Sequence, residues 1–110
     1  MLNYEISAHE LKELLSEGRE PGCVLLDVRE VWEHEEARIE GSILIPMGEI
    51  PARVHQELDP EAHIIAICHH GVRSMSVTAW LREQGFERAQ SLRGGIDAWS
   101  AEVDASVPRY

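Results

Sequence analysis

Two short apolar runs constrain this chain more than any other feature. Cys23-Val24-Leu25-Leu26 and Ile64-Ile65-Ala66-Ile67 contain no polar side chain beyond the thiol. Neither run is long enough for a core helix, and neither alternates as a half-exposed strand would. Continuous apolar stretches of this length mark strands buried on both faces, as in a parallel sheet. Helical patterns separate them. Ser7-Ala8-His9-Glu10 is a capping box that opens a stripe of Leu11, Leu14 and Leu15, with Glu17-Gly18-Arg19-Glu20-Pro21-Gly22 as its stop. Val31 to Glu36 predicts a short helix, and Ile43-Leu44-Ile45 a strand ended by Pro46. Ile50 to Leu58 is helical in composition, with Pro51 tolerated in the first turn. Ser74 to Gln84 predicts a helix that Gly85 ends, Ala89-Gln90-Ser91-Leu92 a last strand, and Gly94-Gly95 the start of a helix through Trp99. Such alternation predicts an α/β fold, a largely parallel sheet with helices on both faces. Sheets of that kind bind ligands at the carboxyl ends of their strands, which is where Cys68 stands.

At 110 residues the chain is sized for one domain, residues 1–110, and no repeat, linker or low-complexity segment divides it. Its 44% hydrophobic content supplies one core, and 27% charged residues is ordinary for a soluble protein. No apolar run reaches the length of a membrane span. Met1-Leu2-Asn3-Tyr4-Glu5 has neither the basic start nor the apolar core of a signal peptide, so the expected location is cytoplasmic. The net charge of -10 repels nucleic acid and anionic membrane surfaces. An anionic substrate would need a local positive site. The two cysteines, Cys23 and Cys68, match neither a Cys-x-x-Cys pair nor a zinc quartet, and a reducing compartment keeps them apart. Neither a cofactor nor a metal is expected, and the chain is expected to be a monomer.

The chemistry concentrates in Cys68-His69-His70-Gly71-Val72-Arg73-Ser74, which joins a buried strand to a helix. Gly71 supplies conformations other residues resist. A tight turn there aims successive backbone N–H groups at the sulfur, and the following helix adds its positive end. These are the surroundings that favour a thiolate, the nucleophilic form of cysteine. Arg73 opposes the helix dipole, so its placement suggests an anionic guest. A metal site from Cys68, His69 and His70 is disfavoured because adjacent residues rarely converge on one ion.

Four segments together resemble the rhodanese-like sulfurtransferase family in its small single-domain form. They are Leu25-Leu26-Asp27-Val28-Arg29-Glu30, Ile39-Glu40-Gly41-Ser42 with Ile45-Pro46, the loop from Cys68 to Ser74, and Gly94-Gly95-Ile96-Asp97-Ala98-Trp99. The resemblance implies a five-stranded sheet and a double displacement. Cys68 would take the outer sulfur of thiosulfate or another persulfide donor and pass it to cyanide or a thiol. The N–H groups of residues 69 to 73 would hold the terminal sulfur, with His69, His70, Gly71, Val72, Arg73 and Ser74 as the substrate-binding loop. Relatives of this fold that hydrolyse phosphate esters look like Cys-x5-Arg. The shorter Cys-x4-Arg spacing here favours sulfur transfer over a phosphatase or arsenate reductase. Two other readings are a non-catalytic binding module, against which the cysteine argues, and a sulfur relay to a partner in cofactor or thio-nucleoside synthesis. The ending Val107-Pro108-Arg109-Tyr110 resembles the tails of rhodanese domains fused to adenylating enzymes.

Other residues are weighed against plainer roles. Asp27 is placed either to accept hydrogen bonds from the loop or to join Arg29 in an ion pair that ties loops together, and Arg29 reads as that ion pair. His69 and His70 stand where relatives that resemble the better-known thiosulfate users often have Arg and Lys, which weakens thiosulfate as the natural donor; at least one is expected to face substrate. Arg38 reads as a surface residue. Cys23 reads as packing, Trp80 and Trp99 as core, and Trp32 as partly buried. His9, His34, His55 and His63 are expected to be exposed, and Glu33-His34-Glu35-Glu36 to be a solvated helix face.

Overall fold

The computed structural model describes residues 2–16 and 23–110. The elements are β1 (Glu5–Ile6), α1 (Ala8–Ser16), β2 (Cys23–Asp27), α2 (Val31–Glu36), β3 (Ile43–Leu44), a 3-10 turn (Met47–Glu49), α3 (Ile50–Glu57), β4 (His63–Ile67), α4 (Val72–Glu83), β5 (Ala89–Leu92) and α5 (Gly95–Glu102). The strands form one five-stranded sheet in the order β1-β5-β4-β2-β3. Each pairing is parallel, and β2 runs alongside β4 from Cys23 opposite His63 to Asp27 opposite Ile67.

The unbroken apolar run of β4 has its reason in the two layers around it. Its side chains alternate between faces. Ile64, Ala66 and Cys68 join a core with Val54 of α3 and Val77 and Leu81 of α4. Ile65 and Ile67 join a second core with Leu11 of α1 and Ile96 and Trp99 of α5. All five β4 residues are buried. The N-terminal capping box forms as its sequence predicts. The Ser7 N–H donates to Glu10 Oε1 at 2.9 Å, and the Glu10 N–H to Ser7 Oγ at 3.1 Å. The stop expected over residues 17–22 lies outside the described residues.

The element boundaries depart from expectation in a few places. Strand β1 has only two residues and carries no apolar pattern; it exists because β5 offers it an edge at Ser91 and Leu92. Ile45 lies beyond β3, although its N–H still reaches the Asp27 carbonyl at 3.0 Å. Helix α4 begins at Val72 rather than Ser74, because Gly71 takes the N-cap position with φ of 101°. His63 is not exposed: it is the first residue of β4, and its Nε2 lies 2.7 Å from Gln90 Oε1. Trp99 is core as expected, whereas Trp80 packs on the core only in part and Trp32 is 58% exposed. Cys23 is buried at the start of β2. It sits at the opposite end of the strands from Cys68, five rises of roughly 3.3 Å away, which rules out direct disulfide resolution in this fold.

Candidate active site

Strand β4 delivers Cys68 to the carboxyl edge of the sheet between β2 and β5, where the strand order reverses. The chain then curls back on the sulfur. The Gly71 N–H donates to Cys68 Sγ at 3.0 Å and the Ser74 N–H at 3.3 Å. This curl needs the left-handed backbone at Gly71. A Cβ there would also stand 3.2 Å from the amide nitrogen of Gly94. The hydroxyl of Ser74 lies 3.3 Å from Sγ. Cys68 is 1% exposed, at the floor of its loop, whereas Val72 on the loop crest is 77% exposed.

Helix α5 holds the loop from beneath. Its Ile96 N–H donates to the Cys68 carbonyl at 2.8 Å, and its Asp97 N–H to the His69 carbonyl at 3.1 Å. So close an approach explains the Gly94-Gly95 pair. A Cβ on Gly95 would fall 2.4 Å from the His69 carbonyl oxygen and 2.5 Å from that of Cys68. The positive end of α5 is thereby directed at the loop's carbonyls, while the positive end of α4 faces the sulfur.

A rhodanese-like domain model matches residues 7–102. The chain belongs to the rhodanese-like domain family. It is 40% identical over 99 residues to YtwF of Bacillus subtilis (strain 168), covering 90% of this chain and 92% of that one. It is 35% identical over 95 residues to the protein named thiosulfate sulfurtransferase GlpE of Actinobacillus pleuropneumoniae serotype 3 (strain JL03), covering 86% and 84%. A rhodanese-related protein from Thermoplasma volcanium has a similar crystal structure, with a TM-score of 0.80 at 30% identity over 92% of this chain and 94% of that one. Longer relatives exist: the chain spans 36% of rhodanese-like/PpiC domain-containing protein 12 of Arabidopsis thaliana.

Within this rhodanese-like fold, the charged residues are arranged differently from expectation. Arg73 does not present an unopposed charge to a guest. Its NH1 and NH2 donate to Glu33 Oε1 and Oε2 at 2.7 and 2.8 Å, so the anion that justifies a cation at this helix start is part of the chain. Glu33 is correspondingly buried, at 4% exposure, and not on a solvated face. It caps the first turn of α2 through the Glu30 N–H at 3.0 Å, the one hint its sequence position offered. Donation from Arg73, chiefly, holds its carboxyl at about 2. Asp27 does not bond the Cys68 loop but takes the other course, an ion pair with Arg29. Its two oxygens take Arg29 Nε and NH2 at 2.9 and 2.7 Å, and its Oδ2 lies 2.8 Å from His34 Nδ1. Arg29 is fully buried and also donates to the Ala37 carbonyl, which makes it the loop tie that its position predicts.

Tyr110 is the site residue that sequence reasoning missed. Its hydroxyl donates to Glu33 Oε2 at 2.6 Å and accepts from Arg29 NH1 at 2.8 Å. It thus joins the Asp27–Arg29 and Glu33–Arg73 pairs into one network. Burial, with Glu33 beside it, pushes its phenol up to about 12. Its ring stacks on His69 at 4.0 Å and 9°, and His69 stacks in turn on His70 at 4.0 Å and 22°. Burial lowers the His69 imidazole below the usual histidine range, and His70 adds to that shift. His70 is exposed, with Nδ1 3.9 Å from Asp97 Oδ2. Among the described residues no group of three His, Cys, Asp or Glu side chains is placed to hold a metal ion, and no helix is long and apolar enough to cross a membrane.

Proposed function

We propose that the chain is a sulfurtransferase that carries sulfane sulfur as a persulfide on Cys68. One observation supports this above the others: Sγ sits inside a six-residue turn and receives the Gly71 and Ser74 amides. Donors aimed at a buried sulfur stabilise a developing negative charge there and need no reorganisation during reaction. The Cys68 thiolate attacks the outer sulfur of the donor. A bond from Sγ to that sulfur forms while the donor's own sulfur bond breaks, and the electron pair leaves on sulfite or on a thiolate. An acceptor thiolate or cyanide then attacks the outer sulfur, and the pair returns to Sγ. The two half-reactions give ping-pong kinetics.

The charges around the loop favour a low-molecular-weight or protein persulfide over thiosulfate as donor. Glu33 neutralises Arg73. Burial, with His70 beside it, disfavours the charged form of His69. The mouth therefore offers a dianion little net positive charge. Its crest carries exposed apolar side chains, Val72 at 77% and, across the Glu33–Arg73 pair, Trp32 at 58%. Such a rim suits a protein that delivers or removes sulfur better than it suits a small anion.

The test is mass spectrometry of the intact protein after incubation with thiosulfate or with glutathione persulfide. Expected is a gain of one sulfur atom at Cys68, faster from the persulfide, removed by cyanide and absent in Cys68→Ser. A folded protein that gains no sulfur from either donor overturns the proposal and leaves a non-catalytic binding module.

A further inference from the structure

Ser91 is an anomaly in the sheet. It lies on β5 two residues after Ala89, on the face that packs against α4. It is fully buried, where an apolar side chain would pack without needing a partner. Its backbone N–H is already satisfied within the sheet, donating to the Tyr4 carbonyl at 2.7 Å. Its hydroxyl oxygen lies 2.7 Å from Ser74 Oγ, its one side-chain hydrogen-bond partner among the described residues. Ser74 Oγ in turn lies 3.3 Å from Cys68 Sγ, a contact in which a neutral thiol donates to Ser74 and a thiolate accepts from it.

Counting protons fixes the direction of this chain of three. Each hydroxyl has one proton to give. If Ser74 gave its proton to Ser91, the Ser91 proton would point at no acceptor, and a buried unpaired O–H is strongly disfavoured. If Ser91 gives its proton to Ser74, the Ser74 proton is free for Sγ, and both are satisfied. That arrangement ends on sulfur as an acceptor. With the Gly71 and Ser74 amides, Sγ then receives three donors, the full set suited to a thiolate and unsuited to a thiol, which would bring a proton of its own.

We infer that Ser91 is a positioning residue that orients the Ser74 hydroxyl toward Cys68 and so favours the reactive thiolate from the opposite wall of the core. It touches neither substrate nor sulfur and acts only through Ser74. The inference rests on Cys68 being the reactive sulfur. Its test uses alkylation, which reports thiolate whether or not sulfur is transferred.

The measurement is the pH profile of Cys68 alkylation by iodoacetamide, resolved at the peptide level to separate Cys23. In Ser91→Ala the profile moves to higher pH, and the rate on its acid limb falls about three- to tenfold, the worth of one buried hydrogen bond. Ser74→Ala shifts the profile the same way. Adding Ser91→Ala to Ser74→Ala changes nothing further, because the intermediary is gone. Should Ser91→Ala fail to fold, Ser91→Thr, which keeps the hydroxyl, must retain the wild-type profile, and Ser91→Cys, with its weak donor, must shift it. An unmoved profile in folded Ser91→Ala, or a full shift in the Ser74→Ala background, overturns the inference.

Discussion

Replacing Glu33 by glutamine tests the assignment of the cation partner directly. The carboxylate takes two hydrogen bonds from Arg73 at 2.7 and 2.8 Å, one from the Tyr110 hydroxyl at 2.6 Å, and one from the Glu30 amide at 3.0 Å. Together they lower its carboxyl from 4.5 to about 2, with Arg73 the largest cause. A depression of that size corresponds to about 3 kcal/mol of folding stability at neutral pH. The folded state binds this proton less tightly than the unfolded state. The contribution is therefore complete above the unfolded value and is lost as pH falls from about 5 toward 2. Glutamine keeps one acceptor oxygen and no charge, and Arg73 is partly open to water. The expected loss at pH 7 is thus about 2–3 kcal/mol, somewhat below the whole. Urea unfolding of both proteins by tryptophan fluorescence, from pH 7 to pH 2, measures it. Other carboxylates titrate in both proteins and cancel in the difference. That difference should shrink to under about 1 kcal/mol at the acid end. A difference that stays constant with pH would refute the charge argument, and one near zero at pH 7 would show that Arg73 does not depend on Glu33.

Other outcomes follow from the same geometry. Gly95→Ala pushes a methyl group onto the Cys68 and His69 carbonyls and displaces the loop, so sulfur loading should slow on the order of a hundredfold; single-turnover loading measures this, and an unchanged rate means the loop is not held by α5. His69→Arg restores a cation at the mouth. It should raise kcat/KM for thiosulfate about tenfold relative to glutathione persulfide, the order of one charge-assisted contact. Tyr110→Phe removes the hydroxyl shared by Arg29 and Glu33 and should lower stability by about 1.5–3 kcal/mol in urea unfolding. In the wild type the raised phenol pKa means the Tyr110 contribution is whole below pH 10 and lost as pH rises toward 12.

What the sequence revealed and what it hid divide along a physical line. The strands β2 and β4, the capping box and the Cys68 loop are written in local pattern: apolar runs, Ser-x-x-Glu, a glycine at the turn. Proximity in space is not written there. Strand β1 has no pattern because it is defined by the edge it joins. Glu33 sits in a run of charges that looks solvated, and only the approach of α2 to α4 makes it a buried partner of Arg73. Tyr110 lies 77 residues from Glu33 in sequence and no periodicity points to it. Ser91 looked like an ordinary strand residue, since a lone hydroxyl acquires meaning only from the atom across the core.

These hidden residues change how the site is understood. Read from sequence, Arg73 is the local positive charge that compensates a net charge of -10. In the fold that charge is met by Glu33, and Glu33 is in turn tied through Tyr110 to Arg29 and Asp27. The network rigidifies the wall of the loop but leaves little field for capturing a free anion. The directed donors at Sγ are instead the Gly71 and Ser74 amides, which act over a hydrogen-bond length and discriminate by position rather than by charge. A site built this way stabilises charge on a sulfur already in place. Under the proposed function, contact with the delivering molecule would bring the sulfur in, and the exposed apolar side chains of Val72 and Trp32 are the surface on which such contact would be made.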